Sequence, residues 1–478
     1  MNTPIIRVFW VLLVLLGLLV VSTSRWTVFD RDRVRDNPLN ARERIAQQKV
    51  QRGRISAADG ATLARSRRQA DGLYVRSYPQ GDLFSHAVGY DFLTAGTAGL
   101  ERFYNGPLSG RQGGFEGALR RLQGERPHGD ALRTSLDPAA QRVALKALAG
   151  RAGSVVALDP RTGRVRVMAS VPDYDPNVLR SARGRRRLNS NRAAPLLNRA
   201  TAGLYPPGST FKVVTAIAAI DSGQFQPTST VDGRNGIPIS GVPLSNAGGE
   251  NFGPVDLTFA LTKSVNTVWA QVGERLGAET MQRYMERLGF MKPVQVDLPE
   301  NERLASGVYC DRGRKLVRAT NECVDVGRMA IGQAKLLATP LQMAMVASAV
   351  ANHGTLMEPF IATRAVDSAG RTTLNNTPRT MSKVMSPGSA AKITAMMTKV
   401  VQEGTGTQAA LQGIDVAGKT GTAEIDVQRD IAQPWFIAFA PASNPRVAIA
   451  VTLERVVRGF GGTDAAPIAR DVIQALLR

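Results

Sequence analysis

Read from the N-terminus, the chain begins with one continuous apolar run and then switches between helical and strand periods. Val8 to Val21 carries no polar side chain, and Ile5 and Ile6 extend the run past the single charge of Arg7. A membrane-spanning helix needs about 20 residues, so Pro4 to Ser24 predicts one, with Arg7 reaching back to the headgroups. Trp10 and Trp26 then mark the two interfaces. No small-x-small cleavage site follows in Val20-Val21-Ser22-Thr23-Ser24, so an anchor is expected in place of a removed signal peptide. Everything after Arg25 is expected outside the cytoplasm.

Beyond the anchor, Asp30 to Lys49 is polar enough for a linker or an exposed helix. Arg52-Gly53-Arg54-Ile55 and Asp59-Gly60 read as a short strand and turn, and the Gly- and Arg-rich stretch to Thr134 as a small irregular domain. A clearer region follows. The Asp137-Pro138 step caps a helix over Ala139 to Leu148. Ser154 to Leu158 and Arg164 to Ala169 are β-rich runs flanking Asp159-Pro160-Arg161-Thr162-Gly163, a hairpin with turn residues between its strands. Helical periods cover Ser209 to Asp221, Leu257 to Arg275, Thr280 to Leu288 and Thr339 to Asn352. Lys419 to Ile425, Trp435 to Ala440 and Arg446 to Leu453 then read as strands, and Ala466 to Arg478 as a closing helix. Two strands open this region, helices fill its middle, and three strands with a helix close it. An α+β fold satisfies that order: an antiparallel sheet built from both ends, with an all-helical insertion. The expected division is an anchor at 1–24, a small domain at 25–134 and a large domain at 135–478.

Composition changes the picture in two places. The net charge of +21 invites a nucleic-acid reading. The basic residues are spread along the chain, however, with one dense run at Arg183 to Arg187 and no zinc-finger, helix-turn-helix or RRM signature. No nucleic-acid partner is expected, and anionic headgroups or envelope polymers suit the charge better. Cys310 and Cys323 are the two cysteines. In an oxidising compartment a disulfide is favoured over free thiols, closing a loop worth about 3 kcal/mol in the chain-entropy model. Two ligands with no intervening histidine are too few for structural zinc, and no metal is expected.

The chemistry lies in three short motifs: Ser209-Thr210-Phe211-Lys212, Ser264-Val265-Asn266 and Lys419-Thr420-Gly421. Pro206-Pro207-Gly208 turns the chain into the first, leaving Ser209 at a helix N-terminus with Lys212 on the same face. A serine hydroxyl needs a base. The histidines, His86, His128 and His353, lie in no motif that would present one, so a lysine with a lowered pKa is the alternative, with Lys419 as the second cation that lowers it. Ser264 can bridge Lys212 and Lys419 and relay a proton. Asn266 can orient Lys212 and a substrate amide. Thr420 and Thr422 can donate to a carboxylate that Lys419 attracts, and Gly421 lets a peptide lie against the strand edge. The first motif means little alone. Ser389-Ala390-Ala391-Lys392 repeats it after Pro387-Gly388, yet there Ser386 caps an ordinary helix running to about Glu403. Order and spacing with the other two motifs carry the reading.

That constellation is shared by penicillin-binding proteins and serine β-lactamases. The chain resembles a monofunctional, class B penicillin-binding protein, of the short A type, nearly end to end. The matching blocks include Arg52 to Ile55 with Asp59-Gly60, Gly99-Leu100-Glu101 before Tyr104, Val156 to Pro160 with Thr162-Gly163, and Asn198-Arg199-Ala200. They continue with Tyr205 to Lys212, Thr339 to Met343 and Gly404-Thr405-Gly406. Ser56-Ala57-Ala58 departs from the usual acidic-basic pair. The resemblance implies a five-stranded transpeptidase domain with flanking helices and an all-helical subdomain, carried on an N-terminal pedestal domain of the dimerisation type. It implies peptidoglycan D,D-transpeptidation without a cofactor, in cell-wall synthesis during division or elongation. Ser209 would attack the D-Ala-D-Ala carbonyl of a stem peptide, the backbone N–H groups of Ser209 and Thr422 forming the oxyanion hole, and β-lactams would acylate Ser209. Only about 110 residues separate the anchor from Ser135, less than an ordinary catalytic domain, so a polytopic membrane glycosyltransferase is the expected partner. A D,D-carboxypeptidase and a non-catalytic β-lactam sensor or scaffold are the alternatives. A β-lactamase would need a deacylating group; Glu300 and Glu302 follow Ser264, but Leu298-Pro299-Glu300 resembles the family's ordinary loop, and the anchor and the extra N-terminal domain also argue against that reading.

Overall fold

In the computed structural model, residues 3–25, 48–110 and 128–478 are described. The first apolar run is a single helix, α1 (Thr3–Ser24), with a mean hydropathy of 2.7 and no buried residue, long and apolar enough to cross a membrane. Trp26 and almost all of the polar segment from Asp30 lie outside the described residues.

Local signals place most of the large domain's elements. Asp137 accepts from the N–H groups of Ala139 and Ala140, both at 3.1 Å, and starts α2 (Pro138–Leu148). The hairpin follows as β1 (Gly153–Leu158) and β2 (Val165–Val171), its turn closed by the Gly163 N–H donating to the Asp159 carbonyl at 2.8 Å. Next come α3 (Lys212–Asp221), α4 (Leu257–Thr262) and α5 (Asn266–Arg287), the last broken at Gly277, with φ of 76° and ψ of 162°, where the expected helices ending at Arg275 and starting at Thr280 part. Then follow α6 (Pro340–Ala351), capped by Thr339, and α7 (Pro387–Gln402), capped by Ser386. The last elements are β3 (Ala417–Asp426), β4 (Ile431–Ala440), β5 (Val447–Leu453) and α8 (Ala466–Leu477).

The five strands form an antiparallel sheet in the order β3-β4-β5-β1-β2, with Val456–Val457 pairing on to the start of β4. Both of its faces are covered. Val156, Met168, Ile437 and Ala450 point into one core with α6, whereas Val155, Ala169, Phe436 and Ile449 point into a second with α2 and α8. The strands therefore read as apolar runs without strict alternation. Strand β3 is one edge of the sheet and β2 the other.

Two expectations need correction. Leu257 to Arg275 is not one helix, because α4 stops at Thr262 and α5 starts at Asn266. Between them Ser264 takes a left-handed φ of 61°. The apolar period continues across the break, since both halves bury their apolar faces in the same core, and so it gives no sign of the break. Nor is the small domain merely irregular. Ile55–Ser56, Thr62–Arg68, Tyr74–Ser77 and Ala131–Thr134 form a mixed sheet that is completed by Ala362–Val366 and Thr372–Asn375, from far along the chain. Within it Glu101, fully buried, accepts from Arg52 and Arg76. The first strand begins at Ile55, after the buried Arg52.

Candidate active site

The nucleophile motif sits where a tight turn meets edge strand β3. Residues Gly208–Phe211 form one 3₁₀ turn that runs into α3 at Lys212. In a 3₁₀ turn the side chains at i and i+3 eclipse, which puts Ser209 and Lys212 on one line. Gly208 has a φ of 52°, and a Cβ there would lie 3.0 Å from the Thr422 carbonyl carbon and oxygen. From the other side, a Cβ on Gly421 would lie 2.8 Å from the Pro207 carbonyl oxygen and 2.9 Å from Thr210 Cγ2. The two glycines let turn and strand touch backbone to backbone. Gly421 thus owes its missing side chain to the nucleophile turn, a nearer neighbour than the peptide that its strand-edge position suggested. Three further ties hold the turn: the Gly208 N–H to the Gly332 carbonyl at 3.0 Å, Thr210 Oγ1 to the Pro207 carbonyl at 2.7 Å, and Trp435 Nε1 to the Pro206 carbonyl at 3.0 Å.

The three motifs converge. Lys212 Nζ donates to the Ser264 carbonyl at 2.6 Å and to Asn266 Oδ1 at 2.7 Å, and lies 3.2 Å from Ser264 Oγ. Lys419 Nζ lies 3.0 Å from the same Ser264 Oγ and donates to the Thr420 carbonyl at 3.0 Å. Ser264 Oγ therefore stands between the two amines. Asn266 is itself held by its Nδ2 donating to the Ser245 carbonyl at 2.9 Å. Ser209, Ser264, Asn266 and Thr422 are half-buried, so the cleft is open to a ligand, while Gly421 is buried.

Both lysines are fully buried. Burial pushes the Lys212 amine well below the ordinary lysine range, and the neighbouring Lys419 pushes it further. Burial brings Lys419 down to about 7. The effect is that of two cations taken from water into one small space, where at most one stays charged near neutrality. No carboxylate enters this hydrogen-bonded set. The Glu302 carboxylate is occupied elsewhere, accepting from the Gly99 N–H at 3.1 Å at the small domain. Among the described residues no cluster of ligating side chains suits a metal. The second Ser-x-x-Lys behaves as an ordinary helix start, with Ser386 accepting from the Ser389 N–H at 3.1 Å and Lys392 Nζ donating to Gln226. Cys310 and Cys323 come together as a pair with Cα atoms 6.6 Å apart.

Sequence reasoning missed three contributors. Gly332, with φ of 81°, packs against Gly208, where a Cβ would come within 1.9 Å of the Gly208 carbonyl oxygen. Glu454 accepts from Arg199 and from Tyr205, tying down the approach to the nucleophile turn. Thr405 places its hydroxyl 2.6 Å from that of Thr420. Only the Gly404-Thr405-Gly406 spelling and the Tyr205 block stood out in the sequence, with no role attached.

The likeness to known proteins covers the whole chain. Residues 153–474 match the penicillin binding protein transpeptidase domain, and residues 52–132 the penicillin binding protein A dimerisation domain. Peptidoglycan D,D-transpeptidase PbpA of Mycolicibacterium smegmatis is 35% identical over 506 residues, covering 100% of this chain and 99% of the relative. The structure of penicillin-binding protein A from M. tuberculosis as a ceftriaxone acyl-enzyme complex superposes with a TM-score of 0.82 at 32% identity, over 91% of this chain and 100% of that one. PBP2 of Pseudomonas aeruginosa in complex with WCK 5153 gives a TM-score of 0.74 at 30% identity, over 89% and 95%.

Proposed function

We infer the roles of the site residues from one premise: the chain belongs to the penicillin-binding protein transpeptidase family and is a peptidoglycan D,D-transpeptidase of cell-wall synthesis. It is a serine enzyme that forms an acyl-enzyme with β-lactams.

In the first half-reaction Ser209 Oγ attacks the D-Ala-D-Ala carbonyl carbon of a stem peptide while its proton passes to Lys212 Nζ. A neutral amine has two N–H groups and one lone pair. The Ser264 carbonyl and Asn266 Oδ1 take the two N–H groups of Lys212, at 2.6 and 2.7 Å, which leaves the lone pair of the amine for proton transfer, with Ser264 Oγ 3.2 Å away as the group to which the proton can pass on. That arrangement is the observation carrying the assignment. The tetrahedral oxyanion is stabilised by the N–H groups of Ser209 and Thr422, which the Gly208 and Gly421 contacts hold in one place. Collapse breaks the peptide bond. The departing D-Ala nitrogen takes a proton from Ser264 Oγ, which the two flanking lysines replenish. In the second half-reaction an amine of a neighbouring stem attacks the ester, Lys212 again takes the proton, and Ser209 is released as the cross-link forms. Lys419, with Thr420 and Thr422, holds the terminal carboxylate that identifies the donor. The three steps reuse one base and one relay, so no cofactor enters.

The apolar α1 supports placement as a single-pass protein of the cell membrane, with the catalytic domain outside the cytoplasm. A membrane-embedded glycosyltransferase is the partner proposed to supply the glycan strands. Residues 25–134 act as the pedestal and 135–478 as the transpeptidase domain, the pedestal sheet borrowing its last two strands from residues 362–375.

Intact mass spectrometry after exposure to penicillin tests the reading. A stable adduct is expected on Ser209, absent in Ser209→Ala. Unmodified protein with intact drug would refute it, and rapid release of hydrolysed drug would point to a β-lactamase.

A further inference from the structure

Thr405 belongs to the turn after α7 and touches both walls of the cleft. Its N–H donates to the carbonyl of Thr262, the last residue of α4 and two before Ser264, at 3.3 Å. Gly404 has no room for a side chain, since a Cβ would lie 2.5 Å from that same Thr262 oxygen, and a Cβ on Gly462 would lie 2.4 Å from the Thr405 carbonyl oxygen. The backbone of the turn is thus wedged from two sides. The Thr405 hydroxyl is held 2.6 Å from the hydroxyl of Thr420 on β3.

Proton counting decides what that contact does. A threonine hydroxyl has one proton and two lone pairs. Lys419 Nζ, which can only donate when charged, lies 3.4 Å from Thr420 Oγ1. One proton has to sit between the two threonine oxygens. If Thr420 supplies it, a lone pair of Thr420 faces the cleft and repels an incoming carboxylate. If Thr405 supplies it, both lone pairs of Thr420 are occupied, by Thr405 and Lys419, and the single Thr420 proton is left for the ligand. A carboxylate entering the cleft selects the second arrangement.

We propose that Thr405 is a positioning residue for carboxylate recognition: its hydroxyl donates to Thr420 and turns the Thr420 proton toward the terminal carboxylate of the stem peptide, or that of a β-lactam. This rests on the role given to Thr420 above. Thr405 touches no substrate atom and acts through Thr420 alone.

The test compares Ser209 acylation rates, as k2/K, by penicillin G and by its methyl ester, in which the carboxylate charge is gone. Thr405→Val is isosteric and keeps the backbone N–H. It is expected to slow penicillin G about fivefold, as loss of one hydrogen bond between neutral hydroxyls entails, and to leave the methyl ester within about twofold, so that the acid-to-ester ratio falls. Thr405→Ser restores the ratio. Equal slowing of acid and ester in Thr405→Val would mean a merely structural role and overturn the proposal; Thr405→Ala replaces the valine variant should that one not fold. Thr420→Val separates the two readings. If it lowers the ratio while Thr405→Val does not, only the Thr405 proposal falls. If Thr420→Val leaves the ratio intact, the carboxylate role of Thr420 falls with it.

Discussion

The main-chain carbonyl of Ser264 lies 2.6 Å from Lys212 Nζ because Ser264 holds a left-handed backbone, with φ of 61°. A helical Ser264 would aim that carbonyl along the helix axis and keep it for an intrahelical bond. The break between α4 and α5 turns it, with the side chain, into the cleft. A non-glycine residue in this conformation costs about 1 kcal/mol, a local strain that the surrounding contacts offset.

Ser264→Gly separates these two roles. It removes the hydroxyl between the lysines and relieves the backbone. The melting temperature is expected to hold or rise slightly, as glycine suits a positive φ, while acylation of Ser209 falls about a hundredfold, within the usual range for loss of a proton-transfer group. Thermal unfolding and penicillin acylation on one preparation check it. A wild-type acylation rate would remove Ser264 from the proton path.

Lys212→Arg keeps a cation and should abolish acylation, because a guanidinium does not deprotonate at working pH. Lys212 has no exposed surface, so the larger head also strains the site, and Lys212→Met serves as a fold control of similar length. The expected rates are at least about a hundredfold below wild type for both variants. Near-normal acylation by either, read by intact mass, would rule out the amine as base.

Lys419 predicts the pH profile. Its folded value of about 7 lies below the ordinary 10.5. The folded protein binds fewer protons than the unfolded chain between those two values. Stability on this account rises with pH across that window, and the burial penalty is complete below about 7. For acylation, k2/K reports the free enzyme, so it should decline as pH rises through about 7 and Lys419 loses its charge. A bound carboxylate favours the charged amine, so the limb in k2 should lie higher. Lys419→Arg should remove the alkaline limb. A k2/K profile for the wild type that stays flat through that range would contradict the assignment.

The pairing of Cys310 with Cys323, 13 positions apart, predicts that alkylation without reductant labels neither residue. Reduction should lower stability by about 3 kcal/mol on the chain-entropy account. Two labelled thiols in non-reducing peptide mapping of protein from an oxidising compartment would refute the bond.

Much of the molecule was legible because its signals are local. A run of apolar residues from Val8 to Val21, the Asp137 and Ser386 caps, and the turn from Asp159 to Gly163 specify their elements from neighbours a few positions away. The motif order separated Ser209 from its imitation at Ser389, and so determined the reaction class. What the tertiary structure decided depends on segments distant in the chain. The left-handed Ser264 turns its carbonyl to Lys212, 52 residues before it. Gly421 is explained by Pro207 and Thr210, and the pedestal sheet by strands at 362–375. Thr405 stood in the Gly404-Thr405-Gly406 block without a role until Thr420 and Thr262 came against it. Periodicity and turn propensity record which face of an element is buried. They do not record which backbone comes within 3 Å of it, and here the site is built from such approaches.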